Sequence, residues 1–159
     1  MLKKLSGLIV LASAVTLIPN CAVGDEIGHS SDAKLAWAAF ECTYYASVNK
    51  QDVESERLFQ LGYRAIISFL DAVESGKISS DEADSEVPSG ILFLISGPSK
   101  DFVAGRIFET VSEYSSDEIS KKDSSGNLII DPSKWNTDEE IMSLIAGNKY
   151  RNKNCALLK

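Results

Sequence analysis

Few side chains in this sequence can do covalent or acid–base chemistry. There is one histidine, His29, and there are three cysteines, Cys21, Cys42 and Cys155. His29 lies in a polar stretch ahead of the first helical pattern, with no second histidine to work with. Ser-His-Asp and Cys-His catalysis and the usual zinc ligand sets all need more parts than this. No catalytic residue is assigned from these groups. Carboxylates are plentiful, and two acids suffice to hydrolyse a glycoside. Glu109 and Glu113 stand four apart in a helical pattern, and Glu54 and Glu56 open another. Glycosidase work needs one acid in an apolar cleft; otherwise acids at this spacing form a solvated helix face.

Two acidic stretches invite a metal. Asp81, Glu82, Asp84 and Glu86 lack the spaced oxygens and central glycine of a calcium-binding EF-hand loop. Asp123, Ser125 and Asn127 begin with the right alternation, but Gly126 comes two places early and Lys134 stands where a bidentate acid belongs. The sequence therefore implies no metal and no cofactor.

Binding is the remaining class of function. The densest segment is Gly97 to Glu109, GPSKDFVAGRIFE, which opens a helix at Ser99. Asp101 complements the dipole at that helix start. Asp101 and Glu109 are spaced to pair with Arg64 and Arg106, and an anion pocket at the helix start is the functional version of this segment. Gly62 and Gly105 sit inside helical patterns, where glycine costs roughly 0.5–1 kcal/mol relative to alanine. The simplest expectation is that they mark a close crossing of two helices. Trp37 reads as core. Trp135 stands in a polar connection just before a helix cap. It is placed either to staple that helix start or to anchor a partner, as tryptophan often does. Trp135, Asp101, Arg106 and Glu109 are the partner-binding candidates.

The front of the chain bears on the cysteines. Lys3 and Lys4 precede the uncharged run Leu8–Ile18, Pro19 breaks it, and Ala22-Val23-Gly24 follows. This is the pattern of a cleaved Sec-type signal peptide, too short for a membrane span of about 20 apolar residues. Residues 1–24 are expected to be removed, leaving Asp25 first and a periplasmic or secreted protein. Lipidation of Cys21 is disfavoured because Asn20, not a small residue, precedes it. Cys42 and Cys155 then remain, and two cysteines in an oxidising compartment imply one disulfide. It would tie the first helix to the C-terminal tail.

Processing removes two lysines and no acids, leaving 14 basic against 23 acidic residues, a net charge of −9. So acidic a surface is repelled by phosphate backbones and anionic head groups. Nucleic acid and direct membrane-surface contact are disfavoured on this ground. Solubility is the plain reading of the charge, and a protein partner, basic in character, is the functional one. Oligomeric state is not legible.

The elements that position these residues are helical throughout. About 135 residues after cleavage suit one domain, 25–159. After a polar arm, Asp25 to Ser31, the apolar period of 3.6 predicts a central helix over Ala33–Val48, capped by Ser31 or Asp32, and a second over Asp52–Ser75, stopped at Gly76. Ser79–Glu86 is an acidic linker or a single turn. A short apolar helix follows over Pro88–Ser96, and a long one from Ser99 to Ser120. Lys121–Asn136 is a polar connection with an apolar patch at Leu128–Ile130. Thr137 and Glu140 fit a capping box for a last helix that turns Ile141, Leu144 and Ile145 inward. The expectation is an all-α, single compact domain of about five helices. Its first-ranked role is that of an exported, non-enzymatic binding protein, such as an inhibitor or immunity protein for a toxin or cell-wall hydrolase. The alternatives are an envelope enzyme acting on glycan through paired carboxylates and an envelope structural or assembly factor.

Overall fold

The 3.6-residue apolar period becomes six α-helices in the computed structural model, which describes residues 29–159. They are α1 (His29–Val48), α2 (Asp52–Glu74), α3 (Ser80–Glu86), α4 (Ser89–Leu92), α5 (Lys100–Ser120) and α6 (Glu139–Asn152), with 3₁₀ turns at Pro132–Lys134 and Cys155–Leu157. The fold is all-α. Among the described residues the one β feature is an antiparallel bridge between Lys122 and Leu128. The signal peptide read over residues 1–24, with Cys21 inside it, lies outside the described residues, as does most of the polar arm.

Helix α1 is central, packing against α2, α3, α5, α6 and the C-terminal turn. Its alanines make this possible: Ala33, Ala36, Ala39 and Ala46 are all fully buried and let neighbouring backbones come close. The core has two parts. One gathers Phe40, Ile66, Phe69, Ile91, Ile107 and Val111 around the N-terminal half of α1. There Phe40 meets Phe59 and Phe108, edge-on to the latter with ring centroids 5.3 Å apart. The other gathers Tyr45, Leu58, Ile119, Ala146 and Tyr150 around Cys42 and Cys155.

Cys42 and Cys155 form the disulfide, with Cα atoms 5.6 Å apart and 113 residues between them in sequence. Both are at most 1% exposed. Further polar contacts hold the tail beside the bond. Lys153 Nζ reaches the buried Glu41 carboxylate at 2.9 Å, and Arg57 donates to the Leu158 carbonyl at 2.8 Å.

Several boundaries differ from the sequence expectation. Helix α1 begins at His29, so this histidine is helical rather than in an arm, and Ser31 and Asp32 lie in the first turn instead of capping it. Tertiary contacts extend the helix: Ser30 and Ala33 are buried, and the Asp32 carboxylate accepts from the Ser68 hydroxyl on α2. Ser79–Glu86 is α3, with Ser79 as its cap. The apolar segment after Pro88 is helical only to Leu92. An apolar stretch with no polar face gains by leaving the helix; Leu92, Leu94 and Ile95 lie against the core while Phe93 turns outward. The last helix is capped by Asp138, whose carboxylate accepts from the Glu140 and Ile141 amides, and not by Thr137.

The glycine crossing also requires correction. A Cβ on Gly62 would come within 2.7 Å of the Phe40 ring, so Gly62 marks where α2 crosses α1. Gly105 is exposed, and a Cβ there meets nothing within 4 Å. No crossing passes over it. Gly105→Leu is therefore expected to leave stability unchanged or raise it by up to about 1 kcal/mol through helix propensity. A melting temperature several degrees lower would contradict this placement.

Candidate functional site

Two of the proposed binding residues make hydrogen bonds to neighbouring elements of the fold. Asp101, on the first turn of α5, accepts a hydrogen bond from the Tyr63 hydroxyl on α2 at 2.6 Å, which raises the tyrosine pKa. Arg106 donates to the Ser96 carbonyl at 3.0 Å and lies over the Phe102 ring. Among the described residues neither forms an ion pair, and nor do Glu109 and Arg64. The expected Asp101/Glu109 pairing with Arg64 and Arg106 is thus absent. The start of α5 is also already served. The Ser99 side chain accepts from the Phe102 amide, and Lys100 is taken by Asp71 and Glu74 on α2. Glu109 and Glu113 are both exposed.

Trp135 is held at the other end of α5. Its indole N–H donates to the Ile129 carbonyl at 2.9 Å, and the Lys121 ammonium sits 4.8 Å from its ring centre. The ring is half-buried and is held within the connection after α5, by Ile129 and by Lys121 at its start. Asp101 and Lys121 are twenty residues apart on one rod, roughly 30 Å at 1.5 Å per residue. The four candidates do not converge on one site.

The same connection explains the calcium-like alternation. Asp123 Oδ1 accepts from the backbone amides of Ser125 and Asn127, each at 2.9 Å, and Oδ2 faces the Asn127 side chain. These backbone hydrogen bonds lower the Asp123 pKa. The spaced oxygens build a tight turn. Among the described residues no group of three or more His, Cys, Asp or Glu side chains can hold a metal ion, and no helix is long and apolar enough to cross a membrane.

A cleft of about 370 Å³ opens where α5 ends, the hairpin closed by Lys122 and Leu128 begins, and α6 passes by. Its lining includes Glu118, Ile119, Lys122, Asp123, Ile145 and Lys149. Glu118 is 12% exposed, contacts Lys122 and accepts from Lys149 at 2.8 Å. Burial pushes its pKa up, but the hydrogen bonds from the two lysines overcome this and hold it at about 2.

That shift has a definite sign. A carboxylate with a depressed folded pKa stabilises the fold above its unfolded value, near 4.5, and the contribution is lost as pH falls toward about 2. Glu118→Gln should cost about 2 kcal/mol at neutral pH, discounted for the solvent-facing lysines, and almost nothing at pH about 2. Urea titrations across that window check it. A difference between the two proteins that does not change with pH would refute it.

Around the cleft, apolar side chains stand in solvent. Ile141 and Leu144 on α6 are 50% and 63% exposed, and Leu128 and Ile130 are 63% and 88% exposed. This corrects the expectation that α6 turns Ile141 and Leu144 inward with Ile145. The buried residues of α6 are Ala146, Gly147 and Tyr150, near its C-terminal end. Helix and bridge geometry relate three of these groups, Ile141, Leu144 and Leu128, to the cleft. Ile141 is one turn before Ile145 and two before Lys149 on one line of α6, and Leu144 is next to that line. Leu128 is paired with Lys122 in the bridge, so both side chains leave the same face of the hairpin. The sequence signal was present in the Leu128–Ile130 patch, read as an apolar patch in a polar connection, and in the apolar spacing of Ile141 and Leu144, which pointed to core. No protein-family model, curated protein or solved structure matches this chain.

Proposed function

We propose that this chain is an exported, non-enzymatic binding protein that docks another protein through the face made by Leu128, Ile130, Ile141 and Leu144. The observation that carries the reading is the exposure of Ile141 and Leu144 on a helix otherwise anchored in the core. A contiguous patch of exposed apolar side chains marks an interaction surface, and Ile141 and Leu144 stand within one turn of Ile145, which lines the cleft. An inhibitor or immunity protein for a toxin or cell-wall hydrolase works in this way: a rigid fold presents a preformed surface. Tail, disulfide and central helix supply the rigidity here. Trp135, Asp101 and Arg106 make contacts within the fold, and this reading gives the binding role instead to the Leu128–Ile130 patch and to Ile141 and Leu144, the two that the sequence had assigned to the interior.

A photo-crosslinking amino acid placed at position 144 in the exported protein should capture a discrete protein adduct, whereas the same group at position 109 should not. An adduct from position 109 alone would refute this face. Export has its own test. Intact mass should show Asp25 as the first residue, and a lipid-bearing Cys21 would overturn the processing.

A further inference from the structure

We propose that the occupant of this face is a basic segment of another protein that inserts large apolar side chains between α6 and the Lys122–Leu128 hairpin. The inference rests on the binding role proposed above and assigns the partner's chemistry. Two features of the surface support it together. The first is the apolar set already described: Ile141 and Leu144 are exposed within one turn of the lining residue Ile145 on α6, and exposed Leu128 is the bridge partner of the lining residue Lys122. The second is the charge that frames them. Asp138, Glu139 and Glu140 form the exposed start of α6, and Glu140 lies one turn before Leu144 on the same line of the helix. Asp131 follows Ile130 directly, and Asp123 lines the hairpin side.

Among the described residues Asp123, Asp138, Glu139 and Glu140 form no ion pair, and Asp131 has only a 3.9 Å approach from its neighbour Lys134. The cations in the cleft, Lys122 and Lys149, are engaged by Glu118. An incoming partner therefore meets apolar ground bordered by carboxylates, those of Glu139 and Glu140 among them exposed and without an ion-pair partner among the described residues. Basic residues flanking an apolar anchor match both features, and such complementarity speeds encounter and selects partners. An acidic partner would place like charges together. A second copy of this chain would do the same, because a two-fold contact sets each patch against itself.

The experiment uses the processed protein and a fluorescent synthetic peptide that is amphipathic and built of leucine and lysine. Two control peptides replace every lysine by glutamate or every leucine by serine. Anisotropy should show the leucine–lysine peptide binding at least about tenfold tighter than either control. The double variant Ile141→Asp/Leu144→Asp should weaken it about tenfold with an unchanged melting temperature, since both sites are exposed. Glu139→Gln/Glu140→Gln should weaken it severalfold and flatten its salt dependence. Equal binding of the leucine–glutamate peptide would overturn the basic partner while leaving the face itself standing. Binding that ignores Ile141→Asp/Leu144→Asp would show diffuse attraction to an acidic surface and overturn the site. No binding by any peptide overturns this inference, and the adduct from position 144 then decides separately whether the face binds protein at all. A wild-type dimer in sedimentation that Leu144→Asp dissociates would assign the face to a second copy instead.

Discussion

Replacing Cys42 and Cys155 together by alanine is expected to lower the melting temperature by roughly 10–15 °C, from a loss of about 4 kcal/mol spread over a chain of this size. The bond closes a loop of 113 residues, so removing it frees much of the unfolded ensemble. The native state also loses its tie at the place where it has few alternatives. The residues after α6 make only a short 3₁₀ turn, and Cys155 is their one fully buried side chain. Alanine is the informative substitute, because serine would bury two hydroxyls in an apolar cluster and add a separate penalty. With both sulfurs shielded from solvent, the wild-type bond should resist thiol reductants until the protein unfolds. Thermal melts with and without reductant check both statements. A shift below about 3 °C for the double variant would show that the tail contacts of Lys153 and Leu158 suffice without the bond.

The second large effect concerns the crossing of α1 and α2. Phe40→Ala should destabilise by about 3–5 kcal/mol, since Phe40 is fully buried among Phe59, Phe108 and the Gly62 backbone. Gly62→Leu should cost about 1–3 kcal/mol or more, because the added atoms enter the space of the Phe40 ring and that ring has nowhere to swing. The two changes oppose each other in volume. The double variant Phe40→Ala/Gly62→Leu should therefore be more stable than the sum of the single losses by at least about 1 kcal/mol. Chemical denaturation of the four proteins in a double-mutant cycle gives the coupling directly. Simple additivity would mean that the two residues do not share the space.

The comparison of Gly62 with Gly105 shows what could be read in the chain and what could not. Both are interior glycines of long helices, and each is followed within two residues by an arginine. Nothing local distinguishes them. Only the path of α1 decides that Phe40 lies over one and solvent over the other. The ends of helices were more legible where the capping chemistry is unambiguous. Ser99 caps α5 as its type suggests, and Gly76 takes the left-handed conformation just after α2, with φ +66°. At the start of α6 two adjacent residues, Thr137 and Asp138, can both cap. Trp135, drawn to the Ile129 carbonyl, and the Asn136 amide, bound to the Ser120 carbonyl, settle the direction from which the chain arrives.

The same limit governs the candidate site. Apolar spacing tells which side chains share a helix face, and a helix with Ile141, Leu144 and Ile145 in register resembles any helix that covers a core. Whether that face is covered depends on what other elements reach it, and α6 lies at the margin, anchored through Ala146, Gly147 and Tyr150 near its C-terminal end. The amino-acid sequence by itself determined the all-helical class, the main helices and the cysteine pair, because those follow from local periodicity, from caps and from a count of thiols. Tertiary structure alone decided which glycine is crossed, which carboxylates are spent on lysines and tyrosines, and which apolar residues are left in water. Each of those outcomes depends on neighbours distant in sequence, and no local pattern carries their positions.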